Sequence, residues 1–407
     1  MSNEMIAKEL IFKLTQIYPN VKSDNVFISY CPYRVCPVGA HIDHQKGNVT
    51  GFAIDKGLTI AYVPSGDHYF KATSLNFFGT KRGDILDISP KNNDWADYLR
   101  GAAKILHERY GIDEGINCVI YGSLPVGGIS SSAAVVIAFI NALCAVNNIR
   151  LTKEEIITIS QEVENKYVLV SSGRLDQSCE LLSKKDHLLF LDVSTGEYQL
   201  IPKNKDMDPF AIAIIFSGVR RTLVGSSYNN RVDELKSASY CLKAFANMPY
   251  QSFNESVLRD VPYHVYQEYK DMLPENFRKR AEHFYTEMQR VEEAVAAWKN
   301  GDIEKLGKIS TASGNSSIYN FESGSNELKE IHEIMQRTDG IYGGRFSGAG
   351  FKGCCVALID PAYKKSIKKE VTRQYLKKFP QYRDTFEIFY CHTANGCNTE
   401  RKLTKKR

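Results

Sequence analysis

The chain has 407 residues, 43% of them hydrophobic and 24% charged, which is typical of a globular protein with room for two domains. The formal net charge of +5 does not indicate a nucleic-acid-binding face, because residues 400–407 alone hold five basic side chains and one Glu, a net of +4. The ten Cys residues include no Cys-x-x-Cys pair, which favours reduced thiols over a disulfide framework. The first residues lack a signal sequence, and no apolar run is long enough to span a bilayer. We therefore expect a cytoplasmic protein with neither nucleic-acid nor membrane partners.

Hydrophobic periodicity predicts helices and strands that mix in both halves of the chain, so the predicted fold class is α+β. The predicted helices are 4–18, 94–109, an apolar helix from 133, 152–167, 228–247 and 276–300. The predicted strands are 26–30, 58–63, 69–73, 116–121, 188–193, 211–216 and 354–359. A polar stretch at 202–206 is the predicted junction between a domain of residues 1–205 and a domain of residues 206–397, with a basic tail at 398–407.

The segment 124–133, which reads L-P-V-G-G-I-S-S-S-A, is the predicted phosphate-binding loop. Two glycines permit a tight turn, and Ser is favoured at a helix N-cap, so the three serines indicate the start of the apolar helix. The N-terminus of a helix attracts anions, and a hydroxyl beside a phosphate can bind Mg²⁺. The loop is neither a Walker A motif nor G-x-G-x-x-G. The alternative is a turn of small residues that only caps a core helix.

A turn at 32–47 concentrates polar side chains that suit two kinds of site: Arg34, His41, Asp43 and His44. His-x-Asp with a further His is a pattern of non-haem iron centres. The alternative is a polar turn that binds a ligand rich in hydroxyl groups, with Arg34 supplying charge.

Two acidic residues and a glycine-rich stretch are further candidates. Asp176 lies in a helix-starting turn, either as an N-cap or surface carboxylate or as a carboxylate that orients an attacking hydroxyl or accepts its proton. Glu164, on the preceding helix, is either a structural acid or a ligand of Mg²⁺. Residues 343–353 hold five glycines around Arg345 and Phe346, which predicts close backbone approach to a ligand or to the other domain.

Together these stretches resemble the GHMP small-molecule kinases, and within them the galactokinase branch. Galactokinases carry a motif of the form G-R-V-N-L-I-G-E-H-T-D-Y near the N-terminus, and residues 33–44 here read Y-R-V-C-P-V-G-A-H-I-D-H. The serine loop resembles the family's second motif, and residues 343–354 resemble the third. Glu164-Asn165, residues 175–177 and residues 95–98 resemble its A-E-N, M-D-Q and W-x-x-Y segments. The resemblance spans about residues 25–395.

The resemblance implies a two-domain GHMP kinase fold, with a ribosomal-protein-S5-like N-terminal domain, a ferredoxin-like C-terminal domain and the active site in the cleft between them. It implies ATP and Mg²⁺, with Asp176 as base or orienting carboxylate and Arg34 stabilising the transferring phosphoryl group. The implied substrate-binding residues are Arg34, Ala40, His41, Asp43, Asp176 and Tyr228. The implied nucleotide-binding residues are Trp95, Pro125, Gly127, Gly128, Ser130, Ser131 and Ser132, and the implied Mg²⁺ ligands are Ser132 and Glu164.

Two departures from the galactokinase pattern bear on the substrate. Ala40 stands where the family has the Glu that contacts the C6 hydroxyl of galactose, and the phosphate loop is one residue shorter. Both features resemble galacturonokinases, because removing an acid leaves room for a C6 carboxylate, for which Arg220 and Arg221 are candidate partners. We therefore expect a sugar 1-kinase acting on D-galacturonic acid, as a monomer or weak homodimer. The alternatives are a galactokinase and a catalytically silent sugar sensor.

Overall fold

In the computed structural model, which describes residues 2–88, 90–219, 228–249 and 251–398, helices and strands alternate along the chain. The helices are α1 (Asn3–Ile17), α2 (Asp97–Tyr110), α3 (Ser131–Val146), α4 (Lys153–Glu162), α5 (Leu175–Leu182), α6 (Tyr228–Phe245), α7 (Tyr263–Tyr269), α8 (Glu275–Lys299), α9 (Ile303–Tyr319), α10 (Asn326–Gln336) and α11 (Lys364–Lys378). The strands are β1 (Phe27–Val35), β2 (Asn48–Pro64), β3 (Tyr69–Ser74), β4 (Thr80–Asp84), β5 (Ile116–Gly122), β6 (His187–Asp192), β7 (Tyr198–Pro202), β8 (Ala211–Phe216), β9 (Ile341–Phe346), β10 (Cys354–Ile359), β11 (Glu387–Cys391) and β12 (Thr393–Ala394).

The 17-residue strand β2 is the centre of the first sheet. Among the described residues the strands follow the order β4-β3-β5-β2-β6-β7, and β1 and β12 also pair with β2. β3 and β5 are parallel, and the other pairs are antiparallel. Helix α3 packs against β1 and β2, and its largely uninterrupted apolar sequence explains why it is buried around most of its circumference.

The second sheet has the strand order β11-β8-β10-β9 in the described part of the chain, and its pairs are antiparallel. In chain order this gives strand, helices, two strands, helix and strand, which is the ferredoxin-like arrangement expected for the C-terminal half. Strands β8 and β10 are buried along their whole length, which their uninterrupted apolar sequences predict for inner strands. The predicted bounds of both strands are confirmed.

The two halves of the chain share one hydrophobic core. The indole nitrogen of Trp298 donates a hydrogen bond of 2.9 Å to the carbonyl of Ile201, and β12 returns from the C-terminal half to pair with β2. The predicted division at residues 205 and 206 therefore stays a prediction, and the tail from 399 onward lies outside the described residues. Within the described ranges no helix is both long and apolar enough to cross a membrane.

Three predicted segments differ from the structure. Residues 32–35, predicted as the start of a turn, extend β1, so Arg34 lies on a strand. The helix predicted for 152–167 begins as expected, with a capping box between Thr152 and Glu155, but α4 ends at Glu162 and a π-helical turn (Val163–Val168) follows. Such wider turns are frequent at functional sites, and this one carries Glu164. Residues 343–346 of the glycine-rich stretch belong to β9. Glycine is required at position 343 because a Cβ there would lie 2.0 Å from the carbonyl oxygen of Gly307 on α9.

Candidate active site

The buried guanidinium of Arg34 joins three segments of the predicted site. Its Nε donates to a carboxylate oxygen of Asp176 at 2.7 Å, and Nη1 donates to the Gly128 carbonyl at 3.1 Å and to the Ser347 hydroxyl at 3.3 Å. Burial disfavours the charged guanidinium, but Asp176 outweighs this and raises the pKa of Arg34, which therefore stays protonated. Asp176 keeps 27% of its side chain exposed, which leaves the carboxylate open to a ligand.

Asp176 lies in the first turn of α5, as predicted. The N-cap of this helix is Arg174, so the structural alternative of Asp176 as an N-cap is wrong. Its carboxylate hydrogen-bonds to Arg34 and not to the backbone of its own helix, as expected for a side chain that binds a ligand in the cleft.

The predicted phosphate loop leads into the N-terminus of α3, but its serines do not cap the helix. Ser130 stands at the N-cap with a positive φ of 60° and makes no capping hydrogen bond, so the expected capping role is wrong. Its buried hydroxyl has no partner among the described residues. An unused hydroxyl beside the free N–H groups of a helix N-terminus matches the needs of a bound phosphate.

The glycine-rich third segment packs directly on the phosphate loop, which confirms the prediction of close backbone approach. A side chain at Gly353 would lie 2.6 Å from the backbone of Gly127, and one at Gly348 would lie 2.9 Å from the Cα atom of Gly128. Both positions have a positive φ. Only glycine permits this contact, which fixes the path of the loop from the side of the second sheet.

Glu164 lies beside the phosphate loop, buried and surrounded by hydroxyl and amide donors. Ser172 donates to its carboxylate at 2.6 Å and Gln177 at 3.0 Å, and Ser132 also hydrogen-bonds to it. Burial and the nearby charge of Asp176 raise the pKa of Glu164 to about 7. Ser132 and Glu164 therefore present adjacent oxygen atoms, the ligand type that Mg²⁺ prefers, and these residues fit such an ion.

Trp95, which is predicted to bind the nucleotide, carries a second unused donor. Its ring stacks on Phe77 at a centroid distance of 6.3 Å, and its buried Nε1 has no partner among the described residues. Together with the free hydroxyl of Ser130, this donor fits a nucleotide with hydrogen-bond acceptors. Pro125 and Ser131 lie in the same loop and at the start of α3, respectively.

The predicted sugar-binding residues Asp43 and Tyr228 lie in the electrostatic neighbourhood of Asp176. Burial and Asp176 raise the pKa of Asp43 to about 6, and a carboxylate oxygen of Asp43 accepts from the N–H of Leu175 at 3.3 Å. Burial, Asp43 and Asp176 together raise the pKa of the half-buried Tyr228, which places this phenol in the same acidic neighbourhood.

The ring of His41 is held by the protein itself. Its Nε2 hydrogen-bonds to the Gly348 carbonyl at 2.8 Å, and its ring stacks on Phe321 at 4.3 Å. Ala40, beside it, is buried. The roles of His41 and Ala40 toward a sugar stay predictions.

The alternative of a non-haem iron centre at His41, Asp43 and His44 does not agree with the structure. In the described ranges no group of three or more His, Cys, Asp or Glu side chains is arranged to hold a metal ion. His41 instead bonds to backbone, as described above. Arg220 and Arg221, the candidate partners of a sugar carboxylate, lie outside the described residues.

Sequence reasoning missed the residues that support this side of the site from α8. Glu287, fully buried, accepts a hydrogen bond of 2.7 Å from the N–H of Gly39, and His283 hydrogen-bonds to the carbonyl of Ala40 at 3.1 Å. The sequence did contain a signal for Glu287, because this acid lies on the same apolar face of α8 as Phe284 and Val291. A buried acid needs hydrogen-bond partners, so its position indicated a polar contact there.

Two family models match the chain: the N-terminal domain of GHMP kinases over residues 97–184 and the C-terminal domain of GHMP kinases over residues 292–378. A galacturonokinase of Arabidopsis thaliana is 35% identical over 378 residues, covering 88% of each chain. A galactokinase of Clostridium perfringens is 32% identical over 362 residues, covering 88% of this chain and 91% of the relative.

Solved structures agree with the sequence relatives. Galactokinase of Lactococcus lactis complexed with galactose superposes with a TM-score of 0.87 at 26% identity, covering 97% of this chain and 100% of that one. The mevalonate kinase of Methanococcus jannaschii shares the fold, with a TM-score of 0.62 at 19% identity. The chain therefore belongs to the GHMP kinase family. Within that family it is a sugar kinase of the galactokinase type.

The contact between Gly348 and the phosphate loop generates a first prediction. We expect Gly348→Ala to raise the KM for ATP about tenfold or more, because displacement of reacting groups by about 1 Å can cost up to about a hundredfold. Gly66 is a matched control: its φ of 75° is similar to the 67° of Gly348, but a side chain there would meet nothing within 4 Å. Steady-state kinetics with varied ATP check this, and an equal KM in the two variants would contradict it.

The raised pKa of Glu164 predicts a pH-dependent stability. The unfolded chain loses this proton near pH 4.5 and the folded chain near 7, so the stabilisation is complete at low pH and is lost as the pH rises through about 7. Glu164→Gln cannot lose a proton there. Without metal or nucleotide, we expect its Tm to rise relative to the unsubstituted chain, by several degrees between about pH 5 and 8. Exposed Glu197→Gln is the control, and a constant Tm difference for Glu164→Gln would contradict the assignment.

Proposed function

We propose that this sugar kinase transfers the γ-phosphoryl group of ATP to the anomeric hydroxyl of D-galacturonic acid, giving galacturonate 1-phosphate. The observation that carries the substrate assignment is Ala40, which occupies the position of the acid that galactokinases use at C6. The 35% identity to the Arabidopsis thaliana galacturonokinase supports it.

In this proposal Asp176 and Arg34 act on the reacting atoms. Asp176, at 2.7 Å from Arg34 and partly exposed, is positioned to accept or orient the proton of the attacking hydroxyl. The guanidinium of Arg34 reaches both Asp176 and the carbonyl of Gly128 in the phosphate loop. The positive charge of Arg34 therefore lies between Asp176 and the phosphate site, where it stabilises the negative charge of the transferring phosphoryl group.

In the same proposal the serine loop and Glu164 bind the nucleotide and its metal ion. Residues 127–132 would surround the phosphates with backbone N–H groups and hydroxyls, Trp95 would lie near the base, and Ser132 and Glu164 would hold Mg²⁺. When bound, the ion offsets the negative charge of the phosphates. Glu164 must be ionised to serve as a ligand, and its raised pKa means that this costs free energy which the ion offsets.

Electrostatic repulsion at position 40 would decide between a C6 hydroxyl and a C6 carboxylate. Asp43, Asp176 and Glu164 already crowd the cleft, and burial together with the charge of Asp176 raises the pKa values of Asp43 and Glu164. A further carboxylate at position 40 would repel a C6 carboxylate of the substrate in a buried environment, where such repulsion is strong. Alanine at this position removes the repulsion and leaves space. His41, Asp43 and Tyr228 then remain to contact sugar hydroxyls.

The second candidate is a galactokinase, favoured by the superposition on the Lactococcus lactis enzyme complexed with galactose. A catalytically silent sensor is less favoured, because Ser132, Ala133 and Asp176 are present. The monomeric or weakly dimeric state, the cytoplasmic location and the absence of nucleic-acid and membrane partners stay predictions.

The substrate proposal is tested by ADP release with ATP and Mg²⁺. We expect kcat/KM to be highest for galacturonate, lower for galactose, and low for glucuronate, the C4 epimer. Ala40→Glu is expected to shift the ratio of kcat/KM values toward galactose by about tenfold or more, because it restores a like charge next to the C6 carboxylate. An unsubstituted enzyme that prefers galactose would discard the galacturonate assignment, and sugar binding without turnover would indicate the sensor.

The role of Asp176 is tested by Asp176→Asn. We expect kcat to fall by about 10²- to 10⁴-fold, the usual contribution of a general base, with a smaller change in KM for the sugar. Glu180→Gln is the matched control one turn along α5: burial raises the pKa of Glu180 well above its ordinary value, so Gln keeps its neutral state. A near-normal kcat in Asp176→Asn would rule out proton transfer to this carboxylate.

A further inference from the structure

The imidazole of His44 carries a hydrogen-bond donor that the described part of the protein does not use. His44 follows Asp43 in a single 3₁₀ turn (Asp43–Gln45), directly after the buried stretch that ends at Ile42. Its Nε2 is shielded from solvent and has no hydrogen-bond partner among the described residues. Buried polar atoms are nearly always paired, so an unpaired one needs an explanation.

A chain of hydrogen bonds defines which nitrogen of His44 carries the proton. The N–H of Leu258 can only donate, and it donates to Oε1 of the fully buried Gln45 at 3.0 Å. The amide of Gln45 is therefore oriented with its Nε2 toward His44, where it approaches Nδ1 at 3.3 Å. Since the amide nitrogen can only donate, Nδ1 must accept, and in a neutral imidazole the proton then resides on Nε2.

The neutral state of His44 is favoured by its surroundings. Burial, His283 and Lys236 together lower the pKa of His44 to about 3. At neutral pH the ring therefore offers one N–H donor and no net charge, and that donor is the unpaired Nε2.

His44 belongs to the wall of the predicted sugar pocket. Its ring lies edge-on to Tyr228 at a centroid distance of 5.9 Å, and Tyr228 in turn lies 6.4 Å from the ring of His41. Three acidic groups act on Tyr228: Asp43, Asp176 and Glu164. The unpaired donor therefore lies beside Tyr228 and His41, two of the predicted sugar-binding residues.

Three other unpaired donors are weaker candidates for a hydrogen bond to the sugar beside Tyr228. Ser130 and Trp95 are among the residues predicted to bind the nucleotide. Arg231, near Tyr228 on α6, has an unpaired Nε, but Glu234 and Glu322 match its charge at 3.1 and 3.8 Å. The positive charge of Lys236 reaches the ring of His44 and makes an acceptor next to that ring more favourable.

Resting on the proposed function, we propose that the Nε2–H of His44 donates a hydrogen bond to the C6 carboxylate of the sugar acid and so makes His44 a specificity-determining residue. The C6 carboxylate of a bound sugar acid can only accept hydrogen bonds. In this acidic cleft it needs an N–H donor to offset the loss of its hydration. Ala40 removes the competing acid and His44 supplies the missing donor.

The test uses two substitutions that each keep one nitrogen of the ring. In His44→Gln the amide nitrogen can occupy the place of Nε2, whereas in His44→Asn the amide can only replace Nδ1. We expect His44→Asn to lower the galacturonate-to-galactose ratio of kcat/KM by about ten- to a hundredfold, mainly through the KM for galacturonate, because a hydrogen bond to a charged group is lost. His44→Gln is expected to keep the ratio within about threefold.

His107→Asn is the control for loss of a partly buried imidazole, since this ring bonds to the carbonyl of Ile112 at the far end of α2. The inference about His44 would be overturned if His44→Asn, His44→Gln and the unsubstituted enzyme had equal galacturonate-to-galactose ratios. It would also be overturned if both variants lost the same amount. Either result would leave the galacturonate assignment intact. An unsubstituted enzyme that does not phosphorylate galacturonate would overturn both.

Discussion

The geometry of the site depends on the buried guanidinium of Arg34. A fully charged group with only 4% of its side chain exposed is costly unless it is paired, and Arg34 finds its partners on three segments that are far apart in sequence. Asp176, Gly128 and Ser347 are therefore held at fixed distances from one atom group. Removing any of these partners leaves part of the charge unsatisfied, which gives the cleft a strong preference for a single arrangement. The carboxylate of Asp176 and the predicted phosphate loop thus share one electrostatic anchor.

The parts of the fold and site that sequence analysis predicted are those with local signals. Strands β8 and β10 are uninterrupted apolar runs, and their bounds could be read from the sequence. The Thr152 capping box and the glycines near residue 350 also have local physical causes, in one case a cap and in the other a close backbone contact. The grouping of Arg34, Asp176 and the serine loop followed from the family resemblance, since spacing alone does not pair distant residues in space.

The parts that were not predicted depend on tertiary contacts. The acceptor for the Gly39 N–H is Glu287, 248 residues away, and no local pattern connects the two. Ser130 adopts a positive φ that a serine rarely adopts, so the capping preference failed where the loop is shaped by packing against the second sheet. The π-helical turn around Glu164 likewise replaces the end of the regular α-helix that the hydrophobic periodicity predicted for residues 152–167. In each case a local preference was overridden next to the site, where such conflicts are expected.

The return of the chain to the first sheet has a consequence for its synthesis. The Cys397 thiol donates to the carbonyl of Tyr30 across 367 positions, and Thr393 and Ala394 pair with the middle of β2. At a translation rate of about 5–20 residues per second, β1 leaves the ribosome roughly 20 to 70 seconds before its last partner exists. During that interval the edge of β2 at Ala53 and Ile54 has unpaired backbone groups, which other nascent chains can also bind. Pairing of the final strand is therefore the step that closes this edge, and the first sheet cannot be completed before residues 393 and 394 have been made.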